Sequence, residues 1–420
     1  MLELMTHKKS SQTVMFMDLK AGSNILTQVK PSATATIISQ CQANQGANFL
    51  EIMPLRYSTA VMEFMDPRVL TPMLAYIDLK QVGALIEGCP RRTAEQLIAL
   101  MTSELAGKYL KNVDKNITRQ LMEQVDPKVA AAVLEEVDEP HRIMAVEEME
   151  RDKAAAVLES MEVGVGSQTM GAIDDLQHMA YLIEKMSKQS SGALLSRMDP
   201  TVVARLTDYV KKEKLAQALE EMEPSQSAKV INVMRVPHAA ACLNCMQPNE
   251  ATQILSHVQG RHLAEIISCM ESKSASRLVR QMDHGLVVPL LKKMDSKRVS
   301  QMLSNNGRKY AANTLAMLDS NSASRALEHM EGGQVAEVLE EMDKTTAAGL
   351  LQEMDGEKGG NGLAKMKSRA AARTLKELGA RPAAMKLERM TAQTAARALE
   401  EMEHRFAGSV LEEMEEEIGA

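Results

Sequence analysis

The chain has 420 residues and a formal charge of −7, with 45% hydrophobic, 25% charged and only 2% aromatic side chains. That apolar content can bury a core, which excludes a disordered tail, and the scarcity of rings argues against base-stacking platforms and large cofactor pockets. Five cysteines are too few, and odd in number, for a disulfide framework, so a reducing, cytoplasmic setting is expected.

The N-terminus, MLELMTHKKSSQ, lacks the apolar stretch of a signal peptide, and no window reads as a membrane span. From Met5 onward one apolar residue recurs every 12 positions, through Met17, Val29, Cys41, Met53, Met65, Ile77, Cys89, Met101, Val113, Val125, Val137, Met149 and Met161 to Ile173. The last of these repeats, EVGVGSQTMGAI, carries Gly164, Gly166 and Gly171, which are poor helix formers. The phase then slips by one residue to Met186 and holds to Met414. This predicts two arrays, 1–173 with 15 repeats and 174–420 with 20, joined by a hinge around 162–186. Of the 35 anchor residues, 22 are Met and only Asn306 is polar.

Ala154, Val157, Leu158 and Met161 show the spacing inside a repeat, i, i+3, i+4 and i+7, which is one face of an α-helix. Asp, Glu, Ser or Thr usually follows the anchor, as expected of an N-cap, and proline comes next in MDP (65–67), VDP (125–127), MDP (198–200) and MEP (222–224). Twelve residues make about 3.33 helical turns, so the apolar stripe would rotate by roughly 120° per repeat and no continuous coiled-coil seam survives. Each repeat is therefore expected to be a separate short helix, too short to stand alone and buried by its neighbours: an all-α solenoid. The residue six before the anchor is Ala, Gly or Ser in 18 of the last 20 repeats, which predicts that successive helices approach closely there. GEKGGNG (356–362) is expected to loosen one helix start.

The consensus M-[DE]-P-x-x-A-A-x-V-L-E-E-M, sharpest in 126–161, 186–245 and 318–414, resembles the N-terminal superhelical domain of MgtE magnesium transporters. Related repeats occur in flagellar motor-switch proteins. The resemblance implies a right-handed superhelix, so the expected fold is an all-α, right-handed α-solenoid of about 35 short single-helix repeats. It covers essentially the whole sequence, within which neither a CBS-domain pair nor a transmembrane region is expected.

Two surfaces stand out. The residue two before the anchor is acidic in 16 of 35 repeats, including Glu123, Glu135, Glu147, Glu159, Glu220 and Glu340, and is expected to form a solvated edge. That ladder lapses from Asn232 to Ala316, and residues 225–317 hold 12 basic against 5 acidic residues. The expected docking surface is this window, comprising Arg261, Lys273, Arg277, Arg280, Lys292, Lys293, Lys297, Arg298, Arg308 and Lys309. Its partner is expected to be an acidic protein surface rather than nucleic acid or a membrane. Cys242-x-x-Cys245 has no second pair, so the two are read as structural cysteines rather than zinc ligands. No catalytic, cofactor or metal site is assigned. The leading expectation is a non-enzymatic scaffold in a large cytoplasmic assembly, with an acidic cytoskeletal or ciliary filament as partner; the alternative is a Mg²⁺-sensing regulatory domain using the acidic edge.

Overall fold

A computed structural model describes residues 5–418. Among them lie thirty-four α-helices, from His7–Met15 to His404–Ile418, and no strand. Most are 8 to 11 residues long. The chain divides into two compact units, Met1–Lys214 and Leu215–Ala420, and the packing described here holds inside each.

Within each unit most helices pack chiefly on the helix two places further along and lightly on their immediate successor, although Ser296–Asn306 and Ser368–Leu378 pack about as much on their successors. Alternate helices thus form two rows, and the close neighbour is not the successive helix expected from the sequence. The small site six before the anchor shows why. A Cβ added to Gly107 would sit 2.4 Å from the Glu136 Cβ, and one added to Gly360 would sit 2.8 Å from the Arg389 Cβ. Both neighbours belong to the next-but-one repeat, so the small residue seats the following member of its own row.

The anchor also differs from expectation. Three of the four apolar sites lie on the helix, but the anchor lies just beyond it. Met149, Met161, Met186, Met234, Met270 and Met354 have extended backbones, with φ from −66° to −73° and ψ from 149° to 163°. One extended residue followed by an N-cap reverses the chain within the 12-residue period. The long, unbranched methionine side chain reaches from that turn back into the core, where these six are at most 6% exposed. Aspartates after the anchor cap as expected: Asp66, Asp126 and Asp199 accept backbone N–H groups from the first turn of the next helix.

Two joints depart from this scheme. The helices Ser296–Asn306 and Ser368–Leu378 run through their anchors, and a single glycine makes each turn. Gly307 and Gly379 have φ of 85° and 86°, a region that side chains oppose. Elsewhere the glycine-rich segments are regular helices. Val163–Gly171 is continuous despite its three glycines, and the residue added by the phase slip is taken up before Asp175, which caps the helix Leu176–Lys185. Nor is GEKGGNG loosened: Asp355 caps the helix Gly356–Lys365 through the N–H groups of Glu357 and Lys358. Its glycines are there for close approach. Lys386, at a site that is apolar in most repeats, is 6% exposed and sends Nζ to the Met354 carbonyl at 2.7 Å. Burial lowers its pKa.

These packing distances separate two kinds of glycine. Gly107→Ala should destabilise the chain by about 1–3 kcal/mol, because a backbone must shift to admit the methyl group. Gly349→Ala, in mid-helix with open space around its Cα, should stabilise it by about 0.5–1 kcal/mol. Urea unfolding of the two variants checks both signs.

Candidate docking surface

Each short helix leaves backbone N–H groups at its start and carbonyls at its end without helical partners. The acidic ladder satisfies part of that need. Glu123 accepts the Glu150 N–H at 3.2 Å, Glu184 that of Lys211 at 2.9 Å, Glu328 that of Asp355 at 2.8 Å and Glu340 that of Lys367 at 2.7 Å. All four pairs are 27 residues apart: the end of one helix meets the start of the helix three places on. Across the phase slip the spacing becomes 28, from Glu159 to Ser187 at 3.0 Å. A carboxylate at a helix start also faces the positive end of that helix. The edge expected to be merely solvated is a series of inter-helix staples.

A return bond completes several of them. Lys153 Nζ donates to the Val125 carbonyl, and Lys214 Nζ to the Met186 carbonyl at 2.6 Å. The end of the helix Lys115–Gln124 and the start of Arg151–Ser160 therefore hold each other in both directions, through Glu123 and Lys153. Other residues serve at the same spacing. Asn232 Oδ1 accepts the Gln259 N–H at 3.1 Å, while Lys292 and Lys376 pair with the carboxylates of Asp319 and Glu403 at 3.3 and 2.6 Å.

This framework sorts the basic window. Arg298 is half-buried and performs the return bond, donating to the Met270 carbonyl and to the Ser272 hydroxyl. Lys292 is paired with Asp319, Arg308 with Glu341 at 2.9 Å, and Arg261 with Glu265 at 3.4 Å. Lys273, Arg277, Arg280, Lys293, Lys297 and Lys309 face solvent. Arg261, Lys273, Lys297 and Lys309 each occupy the second position of a helix. A cation there opposes the helix dipole, so these four are badly placed for stability and well placed to meet an anion from outside.

A groove of about 800 Å³ opens inside the window, lined by Arg261, Glu265, Ser268, Cys269, Lys293 and Asp295. It lies between the end of the helix Gly260–Cys269 and the start of Ser296–Asn306. Here the return bond from Arg298 is present, but Ser268 stands where a ladder carboxylate would. Its hydroxyl turns back to the Ala264 carbonyl at 2.7 Å, and no side chain among the described residues accepts the Asp295 N–H. Cys242 is buried and Cys245 exposed on the helix Val236–Cys245. Among the described residues no three His, Cys, Asp or Glu side chains converge to hold a metal ion, and no helix is long and apolar enough to cross a membrane.

The staples carry a pH signature. The Ser187 hydroxyl above all, with the Ser187 N–H, holds the Glu159 carboxyl below the usual carboxylate range, against opposition from partial burial. A depressed folded pKa means that Glu159 contributes stability above its unfolded pKa of about 4.3 and loses it as pH falls through the lower, folded value. Glu159→Gln should therefore lose stability at pH 7 and show a flatter decline in Tm between pH 5 and 3 than the parent chain. Thermal melts across that range measure the difference.

The model of the family described as the MgtE intracellular N domain matches residues 77–165, 167–255, 287–378 and 333–418. No curated protein matches the chain. Among solved structures, an engineered protein is 13% identical over 98% of this chain and 99% of its own, at a TM-score of 0.20. The UNC-45 chaperone, described for its molecular features critical for binding and folding muscle myosin, is 12% identical over 97% of this chain and 52% of its own, at 0.23. APUM23 with GGAAUUGACGG is 10% identical over 98% and 92%, at 0.19. Scores of that size carry no argument about function. Matched by the family model over well more than half its length, the chain belongs to the MgtE intracellular N domain family.

Proposed function

We propose that the chain is a non-enzymatic scaffold that binds partner proteins in a large cytoplasmic assembly, with the basic window as its docking surface for an acidic partner. The observation that carries this reading is the row of solvent-facing cations at helix starts, Arg261, Lys273, Lys297 and Lys309, set against the dipoles of their own helices. Uniform repeats without long inserted loops suit the same role, since catalytic groups tend to be carried on loops. A long, regular repeat array also suits a periodic partner, and a cytoskeletal or ciliary filament is the setting we favour.

Crosslinking mass spectrometry on the native assembly tests the surface. Crosslinks to a partner should gather on Lys273, Lys293, Lys297 and Lys309; a partner crosslinked only through lysines elsewhere would overturn it. The sensor alternative has its own test. The ladder carboxylates at Glu123, Glu184, Glu328 and Glu340 already accept backbone N–H groups. Millimolar Mg²⁺ should accordingly leave Tm unchanged, whereas specific binding to the folded state must raise it.

A further inference from the structure

We infer that the groove between Gly260–Cys269 and Ser296–Asn306 receives a glutamate from an acidic, extended segment of a partner protein, whose carboxylate accepts the Asp295 N–H in place of the absent ladder residue. This deepens the docking reading above and rests on it. The template is internal to the chain. At Glu123, Glu184, Glu328 and Glu340 a carboxylate two residues before the anchor meets the backbone N–H 27 residues on. Counting 27 from Ser268 gives Asp295, where the return bond from Arg298 to the Met270 carbonyl already holds the two helices in the stapled arrangement. The groove therefore presents the geometry of a staple with one of its oxygens missing.

The surroundings favour an anionic visitor. The groove's two acids are engaged, Glu265 with Arg261 at 3.4 Å and Asp295 with its own helix. That leaves Lys293 in the lining, with Lys297 on the groove's own helix and Lys273 on Ser272–Gln281, to attract an anion. The Asp295 side chain does not bar a carboxylate, because it turns to its own helix and accepts the Lys297 and Arg298 N–H groups at 3.0 and 3.3 Å. The same combination occurs at Asp114 and Asp355, which cap their helices while their own N–H groups meet Glu87 and Glu328 at 2.5 and 2.8 Å. No aromatic ring lines the groove, so it lacks the stacking platform on which single-stranded nucleic acid relies.

Fluorescence anisotropy with the full chain and fluorescein-labelled hexaglutamate tests the inference. The peptide should bind in a salt-sensitive manner. Ser268→Glu, which supplies the oxygen from within, should weaken binding by about tenfold or more, the scale of one charge-assisted hydrogen bond, and should raise Tm. Ala99→Glu, an exposed ladder position in the other unit, should leave binding unchanged. The pair Arg261→Gln and Lys293→Gln should weaken binding without touching the Asp295 N–H, which keeps the test open should Ser268→Glu fail to fold. Undiminished binding to Ser268→Glu, no binding to the parent chain, or displacement of the peptide by a single-stranded RNA at lower concentration would each overturn the inference. If Ser268→Glu binds normally while partner crosslinks still gather on Lys293 and Lys297, the glutamate site fails and the docking window stands. Loss of those crosslinks removes both.

Discussion

A helix of about ten residues has a large share of its backbone at its ends. Its first four N–H groups and last four carbonyls have no helical partner, so about eight of its roughly twenty backbone groups are left over. Thirty-four such helices in series would be untenable if every turn left those groups to chance. Burial of apolar side chains supplies the general driving force. What gives the stack its particular register is the matching of helix ends: a carboxylate from the end of one helix, an N–H from the start of the helix three places on, and in several cases a lysine or arginine returning the contact.

Other features follow from that pairing. For the ends to meet, the intervening turn must be tight, which the extended anchor and the N-cap after it achieve. The rows must also lie close, which Gly107, Gly360 and their alanine and serine counterparts allow. Methionine at the anchor suits a turn residue that has to find the core from outside the helix. Where the helix runs on, as at Asn306 and Leu378, the turn falls to a glycine with positive φ, and the ladder chemistry changes nearby. Asn306 Nδ2 donates to the Ser276 carbonyl at 2.9 Å instead.

The period, the helix class, the helix starts and the buried faces were all legible in the sequence, because each is set by residues a few positions apart. Asp126 followed by Pro127 marks a helix start in any context. The pairing of Glu123 with the Glu150 backbone was not legible, since one partner is a main-chain N–H that leaves no trace in side-chain identity. The row order was hidden for a related reason: a repeat identical in every copy does not say which copy it touches. Among the basic residues, sequence alone could not separate Arg298, which holds the Met270 carbonyl, from Lys297 beside it, which faces solvent. The glycines of 356–362 were misjudged, because Lys386 and Arg389, the side chains packed against them, lie two repeats further on.

The equivalence of the two rows bears on how such a chain lengthens. In arrays built from unlike helix pairs, the unit of growth is the pair, since a lone helix would land in a row made for its partner. Here one pattern of anchor, seat and ladder position recurs in both rows, although Met fills only 22 of the 35 anchors and an acid only 16 of the 35 ladder positions. Gaining or losing one 12-residue segment shifts all later helices to the opposite row without changing what they meet. Ancestry by single-helix steps is open to this fold, and odd and even helix numbers stand on equal terms.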